Sequence, residues 1–135
     1  MLHRVSKKQD PNKGKWIGVG GKQEEGETIF ECARRETLEE TGLTLLDLSY
    51  RGIVTFINTK YPSEEMHLFT ATRFTGEIKP CPEGVLKWVD ETEILSLNLW
   101  QGDRVFIDLL IKNSPFFRLT LNYDGDELIK YEISC

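Results

Sequence analysis

Residues 21–43 read GKQEEGETIFECARRETLEETGL, and this stretch decides the fold. Thr28 is followed three residues later by Glu31, which is the pattern of a capping box, so the sequence predicts a helix that begins at Ile29. Gly42 supplies the residue that ends a helix in the left-handed conformation. The stretch is therefore predicted to be a glycine-led loop that runs into a capped helix.

Three glutamates of this helix share one face. Glu36 and Glu39 are spaced i,i+3, and Glu36 and Glu40 are spaced i,i+4, which stacks their side chains over the same turn. Such a cluster of like charges is destabilising, and hard oxygen coordination of Mg²⁺ or Mn²⁺ would offset the repulsion. The alternative is an ordinary solvated face, which is common for an RExxEE pattern taken alone. Arg35 is expected to pair with Glu27 of the loop and to orient the carboxylates.

Length and composition set the broad class of protein. The 135 residues, 39% hydrophobic and 29% charged, predict a single globular domain over residues 1–135. A formal net charge of -5 argues against binding a nucleic acid polymer. No apolar run reaches the length of a membrane span and no signal peptide is visible, so we expect a cytoplasmic protein that needs no membrane. Composition leaves a monomer and a homodimer both open.

The cysteines and histidines do not form a metal-binding pattern. Cys32, Cys81 and Cys135 are scattered, without a C-x-x-C pair, which favours reduced thiols in a cytoplasm. His3 and His67 have no ligand-like spacing to any cysteine. The sequence therefore does not support a zinc site.

The rest of the chain alternates strand and helix patterns. Residues rich in β-branched and aromatic side chains predict strands at 16–21, 47–58, 66–74, 86–89, 117–123 and 127–133. Asp124-Gly125, between the last two strands, is a hairpin signal. Residues 2–5 resemble the end of a strand, so we expect the first strand to be incomplete and the natural chain or domain to begin upstream of Met1. The sum is an α/β (α+β) fold with a mixed sheet and two longer helices.

Two helical segments are predicted in the second half of the chain. Asp90 followed by Glu93 has the spacing of a second capping box, and it opens a short helical turn through Leu97. A longer helix is predicted over residues 102–113. The apolar stripe of this helix consists of Val105, Phe106, Leu109 and Leu110.

The glycine-led loop and helix resemble the Nudix box, in which seven residues recur at fixed spacings. Those residues are Gly21, Glu27, Arg35, Glu36, Glu39, Glu40 and Gly42. Thr37 departs from the pattern, because an aliphatic residue is expected there, and it is expected to affect packing more than catalysis. The resemblance implies the Nudix fold, an α/β/α sandwich, and metal-dependent hydrolysis of a pyrophosphate bond.

The same resemblance implies a set of catalytic and metal-binding residues. Arg35 is the orienting residue, and the metal ligands are the backbone carbonyl of Gly20 and the carboxylates of Glu36, Glu39, Glu40 and Glu83. Glu83 matches the outer glutamate of similar enzymes by its place before the predicted strand 86–89, although a surface glutamate in a turn is the alternative. The general base stays open between Glu39, Glu83 and hydroxide formed from water at the metal.

Nearly the whole chain from Leu2 onwards is similar to the MutT-type 8-oxo-dGTP diphosphatases. The segments that carry this similarity are residues 14–22, 52–56, 66–69 and 98–106, together with the strand–Asp-Gly ending. It implies Mg²⁺-dependent cleavage of an oxidised purine nucleoside triphosphate to the monophosphate and pyrophosphate. The alternatives are a Nudix hydrolase of another nucleoside diphosphate derivative, such as ADP-ribose or an RNA 5′ end, and a Nudix-fold binding module without catalysis.

Three residues are candidates for binding the base. Phe56 and Trp100 offer flat apolar surfaces for stacking. Asp103 matches an acidic base-recognition position of the mammalian relatives, and its carboxyl group suits a hydrogen bond at the purine edge. The alternatives are a core tryptophan and an aspartate that interacts with the dipole at a helix N-terminus.

Two residues are candidates for binding phosphate, and two others depart from the mammalian pattern. Lys22 follows the glycine pair, and Arg4 resembles a phosphate-contacting arginine of bacterial MutT proteins; both are also plausible as solvated residues. Ile17 stands where the mammalian relatives have a base-binding asparagine, and Gly102 stands where they have the first of two aspartates. The base is therefore expected to be recognised differently here.

Overall fold

A computed structural model describes residues 2–4, 16–17, 21–78, 84–86 and 88–134. The chain divides into two compact units, the first formed by Met1–Leu48 and Ala71–Asn98 and the second by Ser49–Thr70 and Leu99–Cys135. The elements, in chain order, are β1 (Leu2–Arg4), β2 (Trp16–Ile17), α1 (Ile29–Thr41), β3 (Thr44–Leu45), β4 (Ser49–Asn58), β5 (Glu64–Thr70), β6 (Phe74–Thr75), β7 (Gly84–Leu86), a 3₁₀ helix (Ile94–Ser96), α2 (Gln101–Ile111), β8 (Phe117–Asp124) and β9 (Glu127–Ser134).

Helix α1 of the first unit has the caps that the sequence predicts. The Glu31 backbone N–H donates to Thr28 Oγ1 over 3.1 Å, and the Thr28 N–H donates to Glu31 Oε1 over 3.2 Å. At the other end Gly42 has φ 83°, and its N–H donates to the Leu38 carbonyl. Both ends of the helix are thus fixed by local hydrogen bonds that satisfy backbone groups a helix terminus would leave unpaired.

The strands of the first unit form two antiparallel sheets. In the larger one β1 lies between β2 and β7, with Leu2 opposite both Ile17 and Leu86. The predicted strand at 86–89 is therefore displaced, since the strand observed is Gly84–Leu86. Only Trp16 and Ile17 of the predicted strand 16–21 are assigned to β2, and residues 18–20 lie outside the described residues. The expectation that the first strand continues upstream stays a prediction.

Strands β3 and β6 form the smaller sheet, and the carboxylate of Asp47 holds its flanking segment in place. It accepts hydrogen bonds from the backbone N–H groups of Thr72 and Arg73 and from the Thr72 hydroxyl. These hydrogen bonds lower the pKa of Asp47 to about 2, and the bond from the Thr72 hydroxyl has the largest effect. The strand predicted over 66–74 is consequently wrong as one element: β5 ends at Thr70, and the chain turns before β6 begins.

A four-stranded mixed sheet, in the order β5-β4-β8-β9, organises the second unit. Strands β4 and β8 are parallel, while the two outer pairs are antiparallel. Alternate residues of β8 are buried on one face, and Phe117, Leu119 and Leu121 are fully buried together with Val54 of β4. The predicted mixed sheet is confirmed, as is the hairpin at Asp124-Gly125 that joins β8 to β9.

The predicted capping box of the 3₁₀ helix needs correction. The helical turn exists as the 3₁₀ helix, but the capping box at Asp90 is wrong, because that carboxylate accepts from the N–H and hydroxyl of Thr92 instead. The N-cap residue of the 3₁₀ helix is Glu93, and its side chain makes no capping hydrogen bond.

The buried face of α2 also differs from the predicted stripe. Its buried residues are Gly102, Asp103, Phe106 and Ile107. Val105, Leu109 and Leu110 keep partial exposure, so that the buried stripe is centred on the first two turns. Within the described part of the chain, no helix has both the length and the apolar character needed to cross a membrane.

Candidate active site

Arg35 ties the glycine-led loop to helix α1. Its Nε donates to Glu27 Oε2 over 2.7 Å and its Nη2 to Glu27 Oε1 over 3.0 Å, a bidentate pair of the kind that fixes both geometry and charge. The same Nη2 donates to the backbone carbonyl of Lys22 over 3.0 Å. The predicted pairing of Arg35 with Glu27 is confirmed.

The remaining nitrogen of Arg35 brings two carboxylates of the helix together. Nη1 lies 2.7 Å from Glu36 Oε1 and 3.2 Å from Glu39 Oε2. It also lies 3.6 Å from Glu24 Oε1 of the loop. The Glu36 side chain is mostly buried, whereas that of Glu39 is 59% exposed. The Arg35 Nη1 atom therefore contacts two carboxylates, of which that of Glu36 is mostly buried and that of Glu39 is accessible to solvent.

The ion pairs also set the protonation of this cluster. Hydrogen bonds, first from the Arg35 side chain and then from the Glu24 backbone N–H, lower the pKa of Glu27 to about 2. The pKa of Arg35 is raised above its usual value, first by its bond to Glu27 and then by its bond to Glu36. Glu27 and Arg35 therefore both keep their charge throughout the neutral range, and the ion pair between them persists there.

Gly21 leaves room for the Glu36 carboxylate. A Cβ atom at position 21 would lie 2.5 and 2.6 Å from the two carboxylate oxygens of Glu36, closer than real side chains approach. The loop carbonyl of Gly21 also contacts the buried Cys32 thiol, with 3.8 Å between sulfur and oxygen. Burial, followed by the charge of Glu27, raises the pKa of Cys32, which is a free cysteine. The absence of a side chain at Gly21 is what lets loop and helix meet at Glu36.

The box carboxylates fit a divalent cation in their chemistry, since carboxylate oxygens are the donors that Mg²⁺ and Mn²⁺ prefer. Glu36 and Glu39 meet at the Arg35 Nη1 atom, and Glu40 of the same turn is half-buried. Within the described ranges, no three His, Cys, Asp or Glu side chains are close enough to hold a metal ion together. The two other predicted ligands, Gly20 and Glu83, lie outside the described residues, so the complete ligand set stays a prediction.

Thr37, the one departure within the box, directs its hydroxyl into the helix itself. Thr37 Oγ1 donates to the carbonyl of Ala33 over 2.7 Å, and the buried Thr41 hydroxyl donates to the carbonyl of Thr37 over 2.6 Å. Both polar groups are satisfied by i−4 bonds. A threonine is therefore accommodated where an aliphatic residue is usual.

The base-binding candidates belong to the second unit, whereas the box belongs to the first. Trp100 is the N-cap residue of α2, and its ring meets Tyr123 edge-to-face with 5.7 Å between centroids. Asp103 is buried in the first turn of α2. Phe56 is partly exposed in β4, opposite Glu64 of β5.

Tyr123 is a residue of this region that the sequence did not single out. Its hydroxyl accepts a 2.6 Å hydrogen bond from the Gly102 N–H, and burial raises its pKa to about 12. A Cβ on Gly102 would lie 2.6 Å from both the Tyr123 hydroxyl and a Leu121 methyl group. The alternation of β8 predicts that Tyr123 is buried, but no local signal indicates its partner at the start of α2.

The two phosphate-binding candidates are described only in part. Lys22 is exposed, and its backbone carbonyl accepts from Arg35. Arg4 lies in β1 with its Cα opposite Gly84, and its side chain is outside what the structure describes. Their proposed contacts with phosphate stay predictions.

Comparison with known proteins identifies the family of this chain. The family model described as the NUDIX domain matches residues 1–110. A Nudix hydrolase of Bacillus subtilis (strain 168), YvcI, is 33% identical over 93% of this chain and 83% of its own length. The oxidized purine nucleoside triphosphate hydrolase of Mus musculus is 32% identical over 94% of this chain and 82% of its own length. The crystal structure of the mutator MutT protein from Bacillus halodurans is similar with a TM-score of 0.85 and 33% identity, over 93% of this chain and 86% of that one.

The chain therefore belongs to the NUDIX family, and its fold is the Nudix fold, as the box predicts. It is a Nudix hydrolase, an enzyme of a family that acts on nucleotide substrates, cleaves pyrophosphate bonds and generally uses divalent cations.

Proposed function

We propose that this enzyme hydrolyses oxidised purine nucleoside triphosphates with Mg²⁺, converting 8-oxo-dGTP to 8-oxo-dGMP and pyrophosphate and so keeping damaged bases out of DNA. The observation that carries the hydrolytic part is the meeting of Glu36 and Glu39 at Arg35, which assembles carboxylates on the box helix. The substrate part is supported by the similarity, over nearly the whole chain, to a relative named for oxidised purine triphosphates.

The proposed metal site consists of the carboxylates of Glu36, Glu39, Glu40 and Glu83 and the carbonyl of Gly20. A bound Mg²⁺, or Mn²⁺, would neutralise charge on the phosphate oxygens. Arg35 keeps Glu36 and Glu39 oriented, and its bidentate bond to Glu27 leaves it anchored if those carboxylates turn towards the cation.

In the reaction, water adds to a phosphorus atom while the bridging bond between the α- and β-phosphate groups breaks. The proton of the water passes to a carboxylate, for which Glu39 and Glu83 are the candidates. Glu39 is the accessible member of the Arg35 cluster, which suits contact with a water molecule. Lys22 and Arg4 are proposed to contact the phosphates through their charged side chains.

The base is proposed to stack on Trp100 and Phe56 and to be read by Asp103. The edge-to-face contact with Tyr123 restricts the Trp100 ring, which reduces the entropy that stacking would cost. Asp103 is buried, and a buried polar group that hydrogen-bonds a purine edge can discriminate strongly against bases that lack the matching donor or acceptor. The residue before Asp103 is Gly102, which has no side chain. Asp103 would therefore contact the base without the second, adjacent aspartate that the mammalian relatives have.

Two other functions remain as outcomes of the test: hydrolysis of another nucleoside diphosphate derivative, such as ADP-ribose or an RNA 5′ end, and nucleotide binding without catalysis. We also propose that residues 1–135 act as a single Nudix domain in the cytoplasm, without binding nucleic acid polymers or membranes. The acidic composition, with a net charge of -5, supports the absence of polymer binding.

A steady-state panel of 8-oxo-dGTP, dGTP, ADP-ribose and 5′-triphosphate RNA tests the substrate. We expect kcat/KM for 8-oxo-dGTP to exceed that for dGTP by at least about tenfold, as a base edge read by a buried polar group allows. Asp103→Asn should remove most of this preference, while Asp108→Asn, in the same helix and paired with Lys112, should keep it. Preference for ADP-ribose or RNA would overturn the substrate assignment, and no turnover of any member would favour the binding module.

A further inference from the structure

Strand β9 is an edge of the mixed sheet in the second unit. It is the last strand in the order β5-β4-β8-β9, and among the strands that the structure describes it pairs with β8 alone. The Leu128 N–H near the start of the strand donates to Gln101 Oε1 of α2. Beyond Leu128, the backbone N–H and C=O groups that point away from β8 form a row to which a further strand can add.

The apolar face of the sheet continues onto β9, where it is only partly covered. Tyr131 and Ile133 lie opposite Leu121 and Leu119, which are fully buried, so the four side chains share a face. Nevertheless Tyr131 is 50% exposed and Ile133 is 43% exposed. Contiguous apolar side chains at an open sheet edge are typical of an interaction surface.

The sequence of β9 is complementary to itself in the antiparallel direction. When two copies of the strand are paired about Tyr131, Lys130 of each copy faces Glu132 of the other, and Ile129 faces Ile133. Opposite charges and apolar residues facing each other are the cross-strand pairs that stabilise a sheet. Pairing about Glu132 would instead place two glutamates side by side, so the charges select the register about Tyr131.

We propose that β9 pairs antiparallel with β9 of a second copy of this chain and joins the two four-stranded sheets into one across a twofold axis. Lys130 and Glu132 set the register, and Tyr131 and Ile133 extend the apolar face across the interface. The regular centre of this pairing consists of the two Lys130–Glu132 pairs on either side of Tyr131, because the one irregularity of the β8–β9 ladder falls at Ile129, at the end of the paired stretch. One pair of short strands buries less surface than a permanent dimer requires, so the dimer forms in a concentration-dependent manner.

Sedimentation velocity of the full chain from about 1 to 500 µM, the range in which a weak interface titrates, tests this pairing. The wild type should pass from monomer to dimer. Lys130→Glu and Glu132→Lys should each weaken the dimer by roughly tenfold or more, because each places like charges opposite one another twice. Glu91→Lys, an exposed position in the first unit with the same charge change as Glu132→Lys, should dimerise as the wild type does.

Restoring the opposite charges distinguishes a variant that has lost the interface from one that has misfolded, because only the former should dimerise again. Lys130→Glu combined with Glu132→Lys in one chain should restore the dimer. Mixing the two single variants should give a heterodimer, since every residue at position 130 then faces an opposite charge at position 132. A wild type that is monomeric over the whole range, assemblies larger than a dimer, or single variants that dimerise like the wild type would each overturn the proposal.

Discussion

At the scale of single residues, the way the glycine-led loop is joined to helix α1 depends on the hydrogen bonds of Arg35. Two of its nitrogens hold Glu27 and one is shared between Glu36 and Glu39. The spacing of these residue types predicts the pairing with Glu27, because loop and helix are adjacent in sequence. The bond from Arg35 to the Lys22 carbonyl could not be predicted, since it depends on the path of the loop backbone.

Replacing Arg35 with lysine should separate its charge from its geometry. A lysine keeps the charge but cannot form the bidentate bond to Glu27 while also reaching Glu36. We expect Arg35→Lys to weaken Mg²⁺ affinity or kcat/KM by about 10- to 100-fold, as loss of an orienting partner typically does. Arg34→Lys, at the exposed neighbouring position, is the matched control. Equal kinetics for the two variants, measured by metal titration of activity, would argue against an orienting role.

At the scale of elements, the parts that are fixed locally are the ones the sequence predicts. The bounds of α1 follow from Thr28 and Gly42, and the hairpin follows from Asp124-Gly125, because each signal lies within a few residues of its effect. The break between β5 and β6 was missed, because it depends on Asp47, which lies 25 residues before its partner Thr72. The start of α2 was predicted to within one residue, but the hydrogen bond from the Gly102 N–H to the Tyr123 hydroxyl was missed for the same reason, since 21 residues separate the two.

The hydrogen bonds that the Asp47 carboxylate accepts from Thr72 and Arg73 should make the stability of the folded protein depend on pH. The pKa of Asp47 is lowered from 3.8 to about 2 in the folded protein, so its contribution is complete above about pH 4 and is lost as the pH falls through 2. Asp47→Ala should therefore lower the Tm at pH 7, and the difference from wild type should narrow towards pH 2. Thermal unfolding followed by circular dichroism across this range measures the difference, and a gap that stays constant with pH would contradict this role.

The start of α2 should not tolerate a side chain at position 102. Alanine is the better helix former by about 1 kcal/mol, but its Cβ would meet Leu121 and Tyr123 at 2.6 Å in a buried site. Overpacking of this kind costs about 1–3 kcal/mol, so Gly102→Ala should lower the free energy of unfolding on balance. Urea denaturation measures the change, and an unchanged or higher free energy would show that the site can relax around the methyl group.

At the scale of the whole molecule, family membership follows from the box together with similarity along the entire chain. The mixed sheet and both helices were predicted, because their patterns extend over many residues. For the metal site the sequence predicts only the types of ligand, and the site itself stays a prediction. Ligand geometry depends on rotamers and on the shared Arg35 contact, which residue spacing does not determine.

A bound divalent cation should stabilise the folded protein as well as activate it. A ligand that binds only the folded state at about 100 times its Kd adds about 2.7 kcal/mol to the free energy of unfolding. We therefore expect Mg²⁺ or Mn²⁺ to raise the Tm of the wild type and to have little effect on Glu36→Gln. Differential scanning calorimetry with and without the cation measures this, and equal shifts in both proteins would place the cation elsewhere.

The most direct test of the central claim is to follow the products of 8-oxo-dGTP by ³¹P NMR with Mg²⁺, for the wild type and for Glu36→Gln. We expect the wild type to release pyrophosphate and the monophosphate, and the folded variant to be slower by several orders of magnitude. Release of orthophosphate, or undiminished hydrolysis by Glu36→Gln, would contradict the central claim.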